Sequence, residues 1–126
     1  YYYNQKAYLK AISSYEKALE YDSDNFTIIK NLALLYLETN QFETAALFTN
    51  NQMELYPSQS ILYLVNGTAN RQLNNLDLAI EYLTMGLDYI FDNKKLQLDF
   101  YRQLSVAYKL QDNIVESEEA VISPVF

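Results

Sequence analysis

Apolar residues recur along this chain at helical spacing. Tyr8, Ala11, Ile12, Tyr15, Ala18 and Leu19 share one helix face, which ends in the turn-forming run Asp22-Ser23-Asp24-Asn25. Ile29, Leu32, Ala33 and Tyr36 follow at i, i+3, i+4, i+7, and Phe42, Ala45, Phe48 and Thr49 continue on another helix. Asp24 and Asn25 are suited to cap the helix bearing Ile29, and Asn40 to end it. Pro57 and Ser58 stop one helix and open the next. Strand alternation is nowhere sustained, so the pattern predicts an all-α fold.

The pattern repeats. Ala11, Ala45 and Ala79 are evenly spaced, thirty-four positions apart. Tyr8, Phe42 and Leu76 precede them by three, and Leu19, Met53 and Leu87 follow by eight. Asn40 and Asn74 stand two before Phe42 and Leu76. A fourth copy, Ile114 with Ser117, falls four positions later than this step requires, so four residues are inserted. The stretch Asp88 to Phe100 is the expected place, with the second helix of the third unit lengthened through Ile90 or Phe91 and a turn at Asp92 and Asn93. Residues 1–126 read as one domain with units at 1–25 (partial), 26–59, 60–97 and 98–126 (truncated). Pro124 is expected to stop the last helix near Ile122, leaving an apolar tail, Ser123 to Phe126, that folds back or docks on a neighbour.

A helix–turn–helix unit of this period with these residues resembles the tetratricopeptide repeat. First-helix positions are matched by Ile29, Leu32, Ala33 and Tyr36, and in the fourth unit by Tyr101, Leu104, Ser105 and Tyr108. Second-helix positions are matched by Tyr8, Ala11, Tyr15, Ala18 and Leu19, and the closing proline by Pro57. The small residues Ala33, Gly67 and Ser105 let a neighbouring helix approach closely. The resemblance implies a right-handed α-solenoid of antiparallel helix pairs, about three and a half repeats and seven helices. The long third unit is similar to a variant seen in bacterial members. At the start, Tyr1 to Tyr3 are read as the remnant of a missing first helix, leaving Tyr8, Ile12 and Tyr15 as an open surface for upstream residues or another copy.

The third unit departs from the pattern. Asn66 and Asn70 stand where Leu and Tyr are expected, four apart on one face. They read first as a locally satisfied polar pair and second as the lining of a polar pocket.

The resemblance also implies a concave surface built by the first helices. It is expected to carry Thr27, Lys30, Asn31 and Leu34, then Ile61, Leu64, Val65, Thr68 and Arg71, then Arg102 and Val106. Gln72 and Gln103 flank it, with Asp99 and Lys109 also contributed by the fourth unit. Asn31 aligns with an asparagine that binds the ligand backbone in peptide-binding members; the alternative is a solvated helix asparagine. The clamp that some members use for a C-terminal carboxylate is rejected, because Leu34, Ile61 and Val65 replace its polar groups. An extended or helical peptide with apolar anchors and acidic flanks fits better.

Composition narrows the function classes. The 126 residues carry 9 Lys and Arg against 16 Asp and Glu, a net charge of −7, which disfavours nucleic acid and anionic membranes as partners. Two glycines and two prolines suit long helices with short connections, and 13 tyrosines supply large interhelical spacers. Cysteine and histidine are absent, which removes thiolate metal sites, disulfides and the commonest general base. No phosphate loop or nucleophile–base pair occurs, and acids such as Asp22, Asp24, Glu118 and Glu119 read as solvated helix ends. Asn25-Phe-Thr27 and Asn66-Gly-Thr68 match glycosylation acceptors by form alone. No run approaches the ~20 apolar residues of a membrane span, and no signal-peptide pattern opens the chain. The compartment stays open between cytoplasm and periplasm. The reading is a protein-interaction scaffold without enzymatic chemistry, cofactor or metal. The alternatives are a self-assembly element acting through uncapped terminal helices, or a regulatory segment of a larger protein.

Overall fold

The computed structural model describes residues 5–122, with side chains described through residue 114. Among the described residues there are six helices and no strands: α1 (Gln5–Tyr21), α2 (Phe26–Glu38), α3 (Phe42–Leu55), α4 (Ser60–Gln72), α5 (Leu76–Leu87) and α6 (Lys94–Ile122). The expectations for Tyr1 to Tyr3 and for Ser123 to Phe126 fall outside the described residues.

The turns follow from local chemistry. The Asn25 side chain accepts from the backbone N–H of Ile28 and caps α2. Asn40 and Asn74, with φ of 60° and 66°, take the left-handed conformation after α2 and α4. In both turns the next residue's N–H reaches back five positions: Gln41 to the carbonyl of Tyr36, and Asn75 to that of Asn70, each at 2.8 Å. This closure satisfies carbonyls that a helix end leaves orphaned, and asparagine tolerates the backbone it needs. At the start of α4 the cap is Gln59, without a side-chain bond, rather than Ser58.

Each helix packs on its chain neighbours, and α2, α4 and α6 also touch one another in series. No equivalent contact joins α1 to α3 or α3 to α5 among the described residues. Helices that touch form a closed inner layer; helices that splay form an open outer one. That difference bends the stack and makes the α2–α4–α6 side concave. Two apolar clusters fill the stack. One joins Ile12, Leu32, Ala33, Tyr36, Ala45, Val65 and Ala69; the other joins Ile29, Met53, Leu62, Tyr63, Leu83, Phe100 and Leu104. Gly67 and Gly86 mark the closest approaches. A Cβ on Gly67 would lie 2.5 Å from Leu83 Cγ, and one on Gly86 2.5 Å from both Tyr63 Cβ and Phe100 Cε2.

Three expectations are corrected. First, α5 ends at Leu87 and is not lengthened through Ile90 or Phe91. Ile90 instead turns back against the second cluster, Asp92 takes φ 49°, and Asn93 caps α6 through the N–H of Leu96 at 3.0 Å. Phe26, Ser60 and Lys94 start α2, α4 and α6 at the strict repeat interval, as do the inward positions Tyr36, Asn70 and Leu104. The extra residues lie after Leu104. Asp112 follows it by eight positions, whereas Asn40 and Asn74 follow Tyr36 and Asn70 by four. Four residues make about one helical turn, so α6 absorbs them with its packed face turned by only about 40°.

Second, that face is Phe100, Leu104 and Ala107. Of the expected set Tyr101, Leu104, Ser105 and Tyr108, only Leu104 is buried; Tyr101 is 56% exposed and Tyr108 52%. Third, the two helices expected in the fourth unit are one continuous α6. Asp112 stands where the left-handed asparagines stood and is helical, so the chain does not reverse there.

Candidate functional site

The concave face is built by α2, α4 and α6. At its centre is an open cavity of about 320 Å³ lined by Leu34 and Leu37 from α2, Leu64, Val65 and Thr68 from α4, and Asp99, Arg102 and Gln103 from α6. Val65 is fully buried under the floor, while Leu34 and Arg102 are exposed at the rim. The surface is aliphatic on two helices and charged on the third.

The expected groove residues divide into two groups. Leu34, Leu64, Val65, Thr68 and Arg102 come together at the cavity. Thr27, Lys30, Asn31, Ile61, Arg71 and Val106 do not line it. Asn31 is half-buried, and its Nδ2 donates to the Tyr15 hydroxyl on α1 at 3.4 Å. Arg71 Nε donates to Gln103 Oε1 at 2.7 Å, so this cation ties α4 to α6. Leu37 was not anticipated, although it lies three residues beyond Leu34 and so shares its face.

Asn66 and Asn70 sit inside the fold, away from the cavity. Asn66 Nδ2 is within 3.1 Å of the Ala46 carbonyl, Thr49 Oγ1 and Asn50 Oδ1, all on α3. Its own Oδ1 accepts from Asn70 Nδ2 at 2.8 Å, and Asn70 Oδ1 accepts from Asn75 Nδ2 at 3.2 Å. The amides form a chain that crosses from α3 through α4 to the turn before α5. Burial also removes Asn66 from the surface that a glycosylation acceptor would need.

The expected terminal surface of Tyr8, Ile12 and Tyr15 is corrected in one member. Ile12 is buried within the chain's own first cluster, because α1 packs on α2 through that face. Tyr8 and Tyr15 are half-buried. A second tie between α1 and α2 is the Tyr36 hydroxyl, which donates to Glu16 Oε2 at 2.6 Å. Burial, and then the Glu16 carboxylate, hold the Tyr36 phenol well above its ordinary pKa.

Among the described residues no group of three or more acids could hold a metal ion, and no helix is long and apolar enough to cross a membrane. The side chains of Ser117, Glu118 and Glu119 lie outside those described.

A tetratricopeptide repeat family model matches residues 2–65. The chain is also 28% identical over 117 residues to stress-induced-phosphoprotein 1 of Caenorhabditis elegans. The match covers 86% of this chain, but the chain spans only 37% of that relative's length. The bacterial reading gains nothing from this relative, and the lengthened second helix on which it rested is absent.

Proposed function

The chain belongs to the tetratricopeptide repeat family, and from that premise we propose that it is an interaction scaffold whose concave groove receives a peptide or a segment of a partner protein. The family's repeats mediate protein–protein contacts, and membership also implies the right-handed winding of the stack. The observation that carries the groove reading is the cavity shared by α2, α4 and α6. Three helices from three successive units contribute to it, so its shape depends on the stack and on no single repeat. Leu34, Leu37 and Leu64 offer sites for apolar anchors, and Arg102 at the rim suits an acidic flank. Asp99, three residues from Arg102, limits how much anionic charge the centre tolerates. The module performs no chemistry of its own in this reading.

A peptide-display selection against the purified chain tests it. Selected peptides are expected to carry spaced apolar residues. They should bind at least tenfold more weakly to Leu34→Ser and to Arg102→Glu, and equally well to Leu47→Ser on the outer surface. Binders indifferent to both groove substitutions would refute the groove as the site.

A further inference from the structure

The outer layer holds a second cleft. Because the main chains of α3 and α5 do not come close, an opening of about 380 Å³ remains between them, lined by Asn50, Met53 and Glu54 from α3, Tyr63 from α4, and Tyr82 and Met85 from α5. Its walls are unusual in kind. Both methionines of the chain are here, together with two tyrosines whose ring centroids lie 6.4 Å apart. Tyr63 is fixed at the base: its hydroxyl donates to the Pro57 carbonyl at 2.6 Å, and its ring lies 5.3 Å from that of Tyr89. Glu54 is exposed in the last turn of α3, where no basic residue accompanies it. A carboxylate there adds to the negative end of the helix dipole, and the two together favour a cation at this end of the cleft.

Among the described residues, α3 and α5 supply no cation to this face. Helices α3 and α5 carry four carboxylates, Glu43, Glu54, Asp77 and Glu81, and no Lys or Arg. From Asn31 to Asn93 the sole basic residue is Arg71, which is bound to Gln103 on the inner side. A second copy or an anionic lipid surface would bring like charge, which argues against both.

We propose that this cleft binds an arginine side chain of a partner segment. The aliphatic stem packs on Met53 and Met85, which are soft and adaptable. The guanidinium lies over the Tyr82 ring and pairs with Glu54. A planar cation gains from both an aromatic face and a carboxylate, which is why arginine fits better than a compact ammonium. The site is separate from the concave groove, and each can fail without the other.

The two methionines make the test direct, since methyl-labelled methionine gives two signals and both report on the cleft. Titration with acetyl-Ala-Arg-Ala-amide is expected to move both signals saturably. The citrulline counterpart, which keeps the shape and loses the charge, should bind at least tenfold more weakly. Glu54→Gln, at an exposed position, should weaken the arginine peptide about tenfold. Leu47→Ser, exposed on α3 and outside the cleft, should leave the affinity for the arginine peptide unchanged. Unmoved methionine signals, equal binding of arginine and citrulline peptides, or an unchanged affinity in Glu54→Gln would each overturn the proposal.

Discussion

Helices α2 and α4 hold equivalent places in the stack, have 13 residues each and start one repeat period apart. Yet α2 presents Leu32, Ala33 and Tyr36 to its neighbours, and α4 presents Asn66, Gly67 and Asn70. In α2 the contact is apolar, with one hydroxyl reaching out to Glu16 on α1. In α4 it is an amide chain anchored on the Ala46 carbonyl of α3 and ending at Asn75. Both solutions leave their polar groups bonded, which is the condition burial imposes. They differ in what they tolerate. An apolar contact degrades gradually as methylenes are removed, whereas an amide chain loses several bonds when one member changes. The glycine sharpens the contrast. Ala33 carries its methyl group inside the contact, whereas Gly67 lets α5 approach so closely that a methyl would meet Leu83.

The largest effect should come from charging the amide chain. In Asn66→Asp the carboxylate would face the Ala46 carbonyl and Asn50 Oδ1 without a donor of its own. A loss on the order of 4 kcal/mol is expected in denaturant unfolding, as for other uncompensated buried charges. A loss below about 1 kcal/mol would show that the chain is not buried as described.

Gly67→Ala should cost about 1–2 kcal/mol, because overpacking outweighs the gain of about 1 kcal/mol in helix propensity. Gly86→Ala should cost more. Its Cβ would meet Tyr63 Cβ, which is fixed to the main chain, whereas at Gly67 the two nearest atoms, Leu83 Cγ and Cδ2, can shift by side-chain rotation, although the Ala79 carbonyl oxygen stands at 3.3 Å. Ordering the two variants by thermal midpoint checks this.

For α2, Tyr36→Phe should lose about 1 kcal/mol, since the bond to a carboxylate is only partly buried. It should also change the response to alkali. The folded-state pKa of Tyr36 is raised by burial and by Glu16, so the fold favours the neutral phenol. Its contribution is complete below about pH 10, the unfolded value, and is lost as pH rises beyond it. The Phe variant should therefore lose less stability above pH 10 than the parent chain. An identical alkaline decline in both would rule out this role for Tyr36.

The smallest effect belongs to the turns. Asn40→Gly and Asn74→Gly should each change stability by only a few tenths of a kcal/mol, because φ near 60° suits glycine. Asn40→Ala and Asn74→Ala should each cost about 1 kcal/mol. Equal responses at the two sites would show that the turns are interchangeable although the helices before them are not.

Much of the architecture was legible from the repeat. Ala11, Ala45 and Ala79 gave the period, and Asn25, Asn40 and Asn74 gave helix boundaries, because caps and left-handed turns are local chemistry read over a few residues. The inserted turn was misplaced. A late fourth copy counts the extra residues but does not say where they lie, and Ile90 and Phe91 look as helical in sequence as the turn inside α6. The burial of Ile12 was also missed, since a helix face reveals that it is apolar and not which neighbour covers it. Of the expected groove residues, Leu34, Leu64, Val65, Thr68 and Arg102 share one cavity, as helix register brings them to one side, whereas register does not reveal that Gln103 and Tyr15 engage Arg71 and Asn31.

The sequence by itself determined an all-α chain of repeated helix pairs, its turns and the polarity of each face. These follow from spacing and backbone preference within a few residues. Only the tertiary structure decided that α2, α4 and α6 close on one another while α1, α3 and α5 stand apart. That choice rests on side chains from different helices meeting at close range, with Leu32 and Ala33 of α2 in one cluster with Val65 and Ala69 of α4, and Arg71 of α4 bonded to Gln103 of α6. The concave groove and the Met53–Met85 cleft are both consequences of it, because each exists where helices of one layer approach or fail to approach.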